Sequence, residues 1–202
     1  MNELAKIILD ALILSLELTD DEAKNVRALH SGHDNQLRLL HYPPIESSRL
    51  EDRYASRLGA HTDWSLFTLL FQDSHGGLQF FDRASETFID AVPKEGVLYM
   101  NIGDMFQRVS NGKPILNSTF SSNSLADPLC TGYYPSALHR VIVKDPQAAR
   151  YSIPYFVPPD SHRVIEPQAS RVAKDGKQMY DPVTFAQYSE QMFRTIGVFD
   201  ET

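Results

Sequence analysis

The sequence places a histidine and an aspartate two positions apart, in the stretch GAHTDW. In an extended segment residues i and i+2 project to the same face, so the imidazole of His61 and the carboxylate of Asp63 can converge on one ion. A second histidine from a distant strand would complete a two-histidine, one-carboxylate face, which is associated with non-haem iron(II) because half of an octahedron stays open. A His-x-Asp pair alone is common, so an ordinary polar turn remains an alternative.

His139 is the best candidate for the second histidine, because it alone opens a predicted strand, HRVIV. The other histidines are predicted to be solvated at helix ends or turns, or to lie within a strand: His30, His33, His75, His162 and His41. Arg150 and Ser152 follow His139 in the chain and share one face of the next predicted strand. Alone, Arg150 is typical of an exposed arginine at a strand start, but the ordered combination is far more specific.

Short apolar runs alternate with turn signals along most of the chain. They predict strands over 37–42, 66–71, 78–81, 88–92, 97–102, 138–143 and 151–157. Many short strands at regular spacing favour an antiparallel sandwich or barrel over a parallel sheet, which needs a helix at each crossover. The sequence therefore predicts a mainly β domain with flanking helices and a jelly-roll core.

Helices are predicted around this β-rich region. The apolar spacing of the segment LAKIILDALILSLEL indicates an amphipathic helix, and Thr19 with Glu22 has the capping-box pattern of a second helix. Asp104 is expected to cap a short helix that ends at Gly112. Asp181 and the following proline are expected to open a C-terminal helix.

A polar stretch from Lys113 to Ser136 interrupts the predicted strands. One interpretation is a mobile surface loop, since long connections without regular structure are usually disordered or functional. The alternative is a lid over a cleft, formed by the aromatic residues Phe120, Tyr133 and Tyr134 just before His139.

Composition excludes several classes of protein. With 202 residues, 42% apolar and 22% charged, the chain is an ordinary globular domain. A net charge of −7 without a basic run argues against nucleic-acid binding. A single cysteine fits a reducing compartment, and charges interrupt the only apolar segment long enough to consider as a membrane span. We therefore expect a cytoplasmic protein with no membrane partner.

With these motifs in order, the sequence resembles the iron(II) and 2-oxoglutarate-dependent dioxygenases, in particular the isopenicillin N synthase-like branch. The similar segments are LRLLHYPPI, GAHTDWSLFTLLFQDSHGGLQFFD, NIGDMFQRVSNGK, and LHRVIVKD through RYSIPYFVPP. The resemblance implies one domain over 1–202 with a double-stranded β-helix (jelly roll, cupin-like) core. It implies a helical lead-in at 1–35, a barrel at 36–159 with an insertion at 114–135, and a C-terminal helix at about 182–197.

The resemblance also implies a set of site residues. His61, Asp63 and His139 would hold Fe(II), while Arg150 and Ser152 would bind the distal carboxylate of 2-oxoglutarate with help from Tyr42. A guanidinium fork matches a carboxylate bidentately, which supports the role of Arg150 on physical grounds. Three protein ligands would leave three positions, two for 2-oxoglutarate and one for dioxygen. Enzymes of this family oxidise a small organic molecule, most often by hydroxylation, and release succinate and carbon dioxide.

The sequence departs from the family pattern in two respects. First, the stretch around 114–135 lengthens the separation of Asp63 from His139. Second, family members carry about a hundred more residues ahead of the segment that starts here. Without them an apolar face would be uncovered, and a second copy of the chain or another protein could bind to it. A truncated, weakly active or non-catalytic metal-binding jelly roll is therefore the alternative function. A hydrolytic zinc site is disfavoured because hydrolysis gives Arg150 and Ser152 no role.

Overall fold

The computed structural model describes residues 1–45, 56–112 and 133–196. In chain order its elements are α1 (Asn2–Ser15), α2 (Asp20–Ala28), β1 (Gln36–Leu37), β2 (Leu40–Tyr42), β3 (Ser56–His61), β4 (Phe67–Gln72), β5 (Leu78–Asp82), β6 (Thr87–Asp90), β7 (Tyr99–Ile102), α3 (Asp104–Val109), β8 (His139–Ile142), β9 (Arg150–Val157), β10 (Val164–Ile165), α4 (Ala169–Asp175), β11 (Val183–Thr184) and α5 (Phe185–Thr195). Strands thus dominate the middle of the chain, and helices flank it.

Two antiparallel sheets form the double-stranded core. The major sheet has the order β1-β9-β4-β7, with β2 also paired to β9, and the minor sheet has the order β3-β8-β5-β6. All their pairings are antiparallel, as the short strands and turn signals predicted. The prediction of a mainly β jelly roll with flanking helices is confirmed.

Alternation along β9 decides which side chains face the interior of the jelly roll. Arg150, Ser152 and Pro154 are buried, whereas the intervening Tyr151 and Ile153 are exposed. Successive side chains of a strand point to opposite faces of the sheet, so the Arg-x-Ser pair lies on the inner face together.

The main hydrophobic core lies where α1 and α2 pack against the major sheet. Its members include Leu9, Leu12, Leu16, Val26, Phe67, Leu69, Phe106, Tyr155 and Val157. The first helix and the capping box between Thr19 and Glu22 are both present as predicted. The buried face of α1 is formed by Ala5, Leu9, Leu12 and Ile13, whereas Leu4 and Ile7, which the helical spacing predicted on the packed face, are exposed. The helices therefore cover one half of the outer face of this sheet.

The predicted strand over 37–42 is divided in two. Its residues pair with β9 in one continuous register on either side of Pro154, whose carbonyl accepts a hydrogen bond from the backbone N–H of Arg38. Proline has no N–H to donate in return, so the ladder is interrupted there and β1 and β2 are separate strands.

Both predicted helix starts at aspartates were wrong. Gly103 is the N-cap of α3, which ends at Val109 rather than at Gly112. The C-terminal helix begins after Thr184, because Thr184 and Gln187 form a capping box and β11 keeps the preceding residues extended. The capping box satisfies two backbone N–H groups at the helix start, which Asp181 is too far upstream to do.

The lid hypothesis falls largely outside the described residues, since 113–132, including Phe120, are not among them. Its two other aromatic residues do not close over a cleft. Tyr134 is 3% exposed and packs edge-on against Phe106, and the hydroxyl of Tyr133 donates to Asp175 of α4. Both tyrosines are therefore part of the helical packing.

One half of the outer face of the major sheet carries exposed apolar side chains. These are Leu37, Leu39, Phe71, Met100, Tyr151 and Ile153, with Leu39 76% exposed. Association through an uncovered apolar face stays a prediction. No helix within the described ranges is long and apolar enough to span a membrane.

The turn at Gly103 lies against the loop that follows β3. Its N–H donates to the carbonyl of Leu66, and a Cβ atom built on Gly103 would lie 2.9 Å from the carbonyl oxygen of Asp63 and closer still to that of Ser65. Only a residue without a side chain permits this approach. The position of the Asp63 loop thus depends on Gly103.

Gly103→Ala is expected to lower the free energy of unfolding by about 3 kcal/mol, because the backbone must move to relieve the clash. Gly59→Ala is the matched control, since nothing lies within 4 Å of a Cβ there. Urea unfolding followed by the fluorescence of Trp64, the single tryptophan, measures both variants. Equal stability of the two variants would contradict the prediction.

The C-terminal helix α5 contacts the same region through Tyr188. Its hydroxyl donates to Oδ2 of Asp104 over 2.7 Å, and the Thr62 hydroxyl donates to the same oxygen over 3.3 Å. Burial raises the pKa of Tyr188, and the Asp104 carboxylate raises it further. Tyr188 thus connects the C-terminal helix to the residue between His61 and Asp63.

Tyr188→Phe is expected to lower the free energy of unfolding by about 2 kcal/mol at neutral pH, since a hydrogen bond to a charged group is lost. Tyr151→Phe, at an exposed tyrosine, is the control.

The contribution of Tyr188 depends on pH in a defined direction. Because its folded pKa is raised, its stabilisation is fully present below the ordinary tyrosine value of 10.0 and is lost as pH rises above it. Denaturant unfolding between about pH 8 and about pH 11 should show a smaller alkaline loss of stability in Tyr188→Phe than in the wild type. An identical loss would be inconsistent with this contact.

Candidate active site

His61 and His139 are directly paired across neighbouring strands. They stand opposite each other in the register between β3 and β8, and their ring centroids are 4.2 Å apart. Directly opposed side chains on antiparallel strands are close neighbours. The fold therefore brings together two histidines that are remote in the chain.

Asp63 completes a cluster of three candidate metal ligands. Its Oδ1 atom lies 3.8 Å from Nε2 of His61 and 3.8 Å from Nε2 of His139. These separations are too long for hydrogen bonds, so the three groups converge without satisfying one another. Among the described residues, this is the one cluster of histidine, cysteine and acidic groups whose donor atoms lie within 4.8 Å of one another.

Backbone carbonyls fix the orientation of both imidazoles. Nδ1 of His61 lies 2.8 Å from the carbonyl oxygen of Gly59, and Nδ1 of His139 lies 2.9 Å from that of Ala137. A carbonyl only accepts, so in the neutral form of each ring Nδ1 carries the proton and Nε2 has the free lone pair. This hydrogen-bonding pattern is common for metal-bound histidines.

Burial favours the neutral, ligating form of His139. Desolvation lowers the pKa of His139, the Asp63 carboxylate opposes that change, and His61 lowers the pKa further. The side chain of His61 is 33% exposed, whereas those of His139 and Asp63 are 9% and 8% exposed. The cluster is therefore open to solvent on the His61 side.

The segment 101–104 holds Asp63 at two points. The amide of Asn101 donates to Oδ2 of Asp63 over 2.8 Å, and the backbone N–H of Asp104 donates to its carbonyl over 2.8 Å. Oδ2 is thus occupied, and Oδ1 is the oxygen that faces the two histidines.

Arg150 is a buried cation whose described hydrogen-bond partners are all neutral. It is 2% exposed and donates to the carbonyl of Gly76, the hydroxyl of Ser152 and the side-chain oxygen of Gln72. Burial lowers its pKa, and nearby Tyr42 and Asp73 oppose that change. A buried charge without an ionic hydrogen-bond partner is costly, so this environment favours an anionic ligand.

One cavity joins the histidine cluster to Arg150. It encloses about 60 Å³ between the two sheets. The polar groups on its wall are Tyr42, His61, Asp63, Thr68, Asn101, His139, Arg150 and Ser152, and the remainder of the wall is apolar. Tyr42 pairs with Arg150 across β2 and β9, and the guanidinium carbon lies 5.3 Å from the centre of its ring. The candidate metal ligands and Arg150 thus face the same cavity.

The structure brings together all six residues singled out in the sequence, although other sequence interpretations differ. Arg150 is buried rather than exposed. His30 is also buried, at 8% exposed, and its ring contacts Asn35.

Sequence reasoning missed several residues that shape the site. Asn101 and Asp104 stood in the segment NIGD, but Asn101 was given no role and Asp104 was expected to cap a helix. The alternation of side chains along β7 could have indicated Asn101, because it turns this residue toward the cavity. Nothing in the sequence indicates that Gly76 and Gln72 support Arg150.

Comparisons with known proteins match this geometry. The family model described as the 2OG-Fe(II) oxygenase superfamily matches residues 33–159. A "2-oxoglutarate-Fe(II) type oxidoreductase" from Aspergillus fumigatus is 34% identical over 89% of this chain and 45% of that protein. The "2-oxoglutarate-dependent dioxygenase htyE" from Aspergillus rugulosus is 35% identical over 97% of this chain and 56% of that protein.

Solved structures agree with the sequence relatives. A full-length Neurospora crassa protein in complex with alpha-KG has a TM-score of 0.65 at 31% identity, covering 86% of this chain and 55% of that one. A "putative 2OG-Fe(II) oxygenase family protein" from Caulobacter crescentus has a TM-score of 0.70 at 27% identity, covering 96% and 55%. The chain spans about half the length of these relatives. It belongs to the 2OG-Fe(II) oxygenase superfamily.

Proposed function

We propose that this chain is an Fe(II)- and 2-oxoglutarate-dependent oxygenase that oxidises, most often by hydroxylation, a small organic molecule with release of succinate and carbon dioxide. In this proposal His61, Asp63 and His139 hold the metal, and Arg150 and Ser152, with Tyr42, hold the distal carboxylate of 2-oxoglutarate. Bound Fe(II) would supply the redox chemistry that couples decarboxylation of 2-oxoglutarate to oxidation of a C–H bond.

The observation that carries the proposal is one cavity shared by a cluster of three metal-ligand donors and by Arg150, a buried cation whose described hydrogen-bond partners are all neutral. A hydrolytic metal site would need the three donors but would leave Arg150 without a role. A 2-oxo acid with a second carboxylate needs both, because one end chelates a metal while the other requires a cationic partner.

The donor set fits Fe(II) better than a closed structural metal site. Two imidazoles and one carboxylate leave half of an octahedron open, which is the arrangement found in non-haem iron oxygenases. His61, Asp63 and His139 would hold the metal, which would supply binding of 2-oxoglutarate and dioxygen next to these three ligands.

The protein residues contribute geometry and charge. Gly59 and Ala137 orient the imidazoles through their carbonyls, and Asn101 orients the carboxylate of Asp63. The guanidinium of Arg150 offers a planar fork to a carboxylate, and the hydroxyl of Ser152 lies 3.1 Å from it. The rest of the cavity wall is apolar and would limit the contact of the reacting groups with water; it is formed by Leu40, Leu58, Leu70, Leu78, Val141, Pro154 and Phe156.

The proposed class of substrate is supported by a structural neighbour. The Neurospora crassa neighbour was also crystallised with alpha-KG and thymine, which supports a small molecule as the substrate class. We further propose that residues 1–202 act as one domain and that the protein is cytoplasmic, because a single cysteine fits a reducing compartment.

The direct test of this proposal is succinate formation from 2-oxoglutarate with Fe(II) and ascorbate, with and without candidate small molecules. We expect slow succinate release alone and faster release with a substrate. Absence of succinate from folded, iron-loaded protein across such a panel would favour a non-catalytic metal-binding jelly roll instead.

His139→Ala is expected to weaken Fe(II) binding by at least about 100-fold and to abolish succinate formation, because one of three ligands is lost. Anaerobic competition with a chromogenic chelator measures the affinity. His41→Ala is the control, since His41 is exposed and stacks on Tyr151 outside the cavity. Unchanged iron affinity in His139→Ala would refute the ligand set.

Arg150→Ala is expected to weaken 2-oxoglutarate binding by about 100-fold, since a buried charge pair is truncated, while Fe(II) affinity stays unchanged. Arg150→Lys should be intermediate, because it keeps the charge without the planar fork. Calorimetric titration on the Mn(II)-loaded protein measures both. Arg38→Ala is the control, because Arg38 is exposed. Equal affinity in Arg150→Ala and Arg38→Ala would sink the assignment.

A further inference from the structure

The two oxygens of the Asp63 carboxylate have different environments. Oδ1 lies 3.8 Å from Nε2 of each histidine, whereas Oδ2 accepts the 2.8 Å hydrogen bond from the amide of Asn101. Both residues are buried, Asp63 at 7% and Asn101 at 6% exposed. The carboxylate is therefore presented to the metal position by one oxygen only.

The difference matters because a carboxylate can bind a metal through one or both oxygens. Asp and Glu are found as monodentate and as bidentate ligands of divalent cations. A bidentate Asp63 would fill a fourth position of an octahedron and leave two open. Two positions accommodate a chelating 2-oxo acid and leave none for dioxygen.

The backbone of Asn101 is part of the major sheet. It lies in β7 between Met100 and Ile102 and pairs with Thr68 of β4 in the ladder of the major sheet. Turning Oδ2 toward the metal would break its hydrogen bond and leave a buried amide donor unpaired, which is unfavourable. The sheet thus holds Asn101 in place, and the amide of Asn101 orients the carboxylate of Asp63.

A neutral amide suits this position better than other side chains. It donates to Oδ2 without adding a charge beside the metal ligands, whereas a carboxylate there would repel Asp63 or compete for the metal, and an apolar residue offers no donor.

We infer that Asn101 is a positioning residue that holds Asp63 monodentate and thereby keeps the third open coordination position available. This inference rests on the proposed metal-binding function and concerns the same site. It assigns to Asn101 a role in coordination rather than in folding alone.

The experiment counts water ligands on the metal with Mn(II) as the probe. Water that exchanges through the first coordination sphere of Mn(II) shortens the proton relaxation time of the solvent, and the effect scales with the number of water ligands. Wild-type protein should have three such positions and Asn101→Ala two, so the inner-sphere relaxivity should fall by about one third. With saturating 2-oxoglutarate the wild type should retain one water ligand and the variant none.

Asn111→Ala is a matched control for loss of a buried amide. Asn111 is fully buried, and its amide donates to an aspartate carboxylate, Oδ2 of Asp175, over 2.6 Å. The carbonyl of Lys177 accepts a second hydrogen bond from this amide. Asn111→Ala should lose at least as much stability as Asn101→Ala, but its Mn(II) relaxivity should equal that of the wild type.

Asn101→Leu serves as a second variant, because its near-isosteric side chain leaves no room for a water molecule to replace the amide. A lowered relaxivity in either Asn101 variant supports the inference. Wild-type relaxivity in both, with and without 2-oxoglutarate, overturns it. Failure of the wild-type protein to bind Mn(II) would instead refute the proposed metal site, so the two failures are distinguishable.

Discussion

The site depends on the antiparallel pairing of β3 with β8, which sets His61 opposite His139. This register lets residues far apart in the chain aim two Nε2 atoms at one carboxylate oxygen. A one-residue slip of either strand would turn its histidine to the opposite face of the sheet. The Asp63 loop depends in turn on the turn at Gly103, so the two sheets jointly define the cluster.

Much of the fold follows from sequence patterns with a direct physical cause. Alternation and turn residues identified most strands, and the Thr19–Glu22 capping box identified a helix start. The errors occurred where tertiary contacts override local preference. Asp104 has the chemistry of a helix cap, but its carboxylate is committed to Tyr188 and Thr62. The predicted strand over 37–42 is divided because Arg38 lies opposite Pro154, which has no N–H to donate. This pairing exists only in the folded chain.

The candidate site was more predictable than its surroundings. Metal-ligand types have recognisable spacing, and an Arg-x-Ser pair on a strand shares one face by geometry. Supporting residues carry no such signal, because their role depends on which atom they reach. Asn101 is an ordinary strand residue in sequence, and the 2.8 Å contact with Asp63 gives it significance. The neutral hydrogen-bond partners of Arg150 are likewise visible only in three dimensions.

A metal and 2-oxoglutarate are proposed to bind together in one cavity, and two ligands that contact each other must be thermodynamically coupled. Calorimetric titration of 2-oxoglutarate into wild-type protein, with and without saturating Mn(II), measures this coupling. We expect Mn(II) to tighten 2-oxoglutarate binding by at least about 10-fold, or about 1.4 kcal/mol. Equal affinity with and without Mn(II), in protein shown to bind the metal, would contradict a shared site.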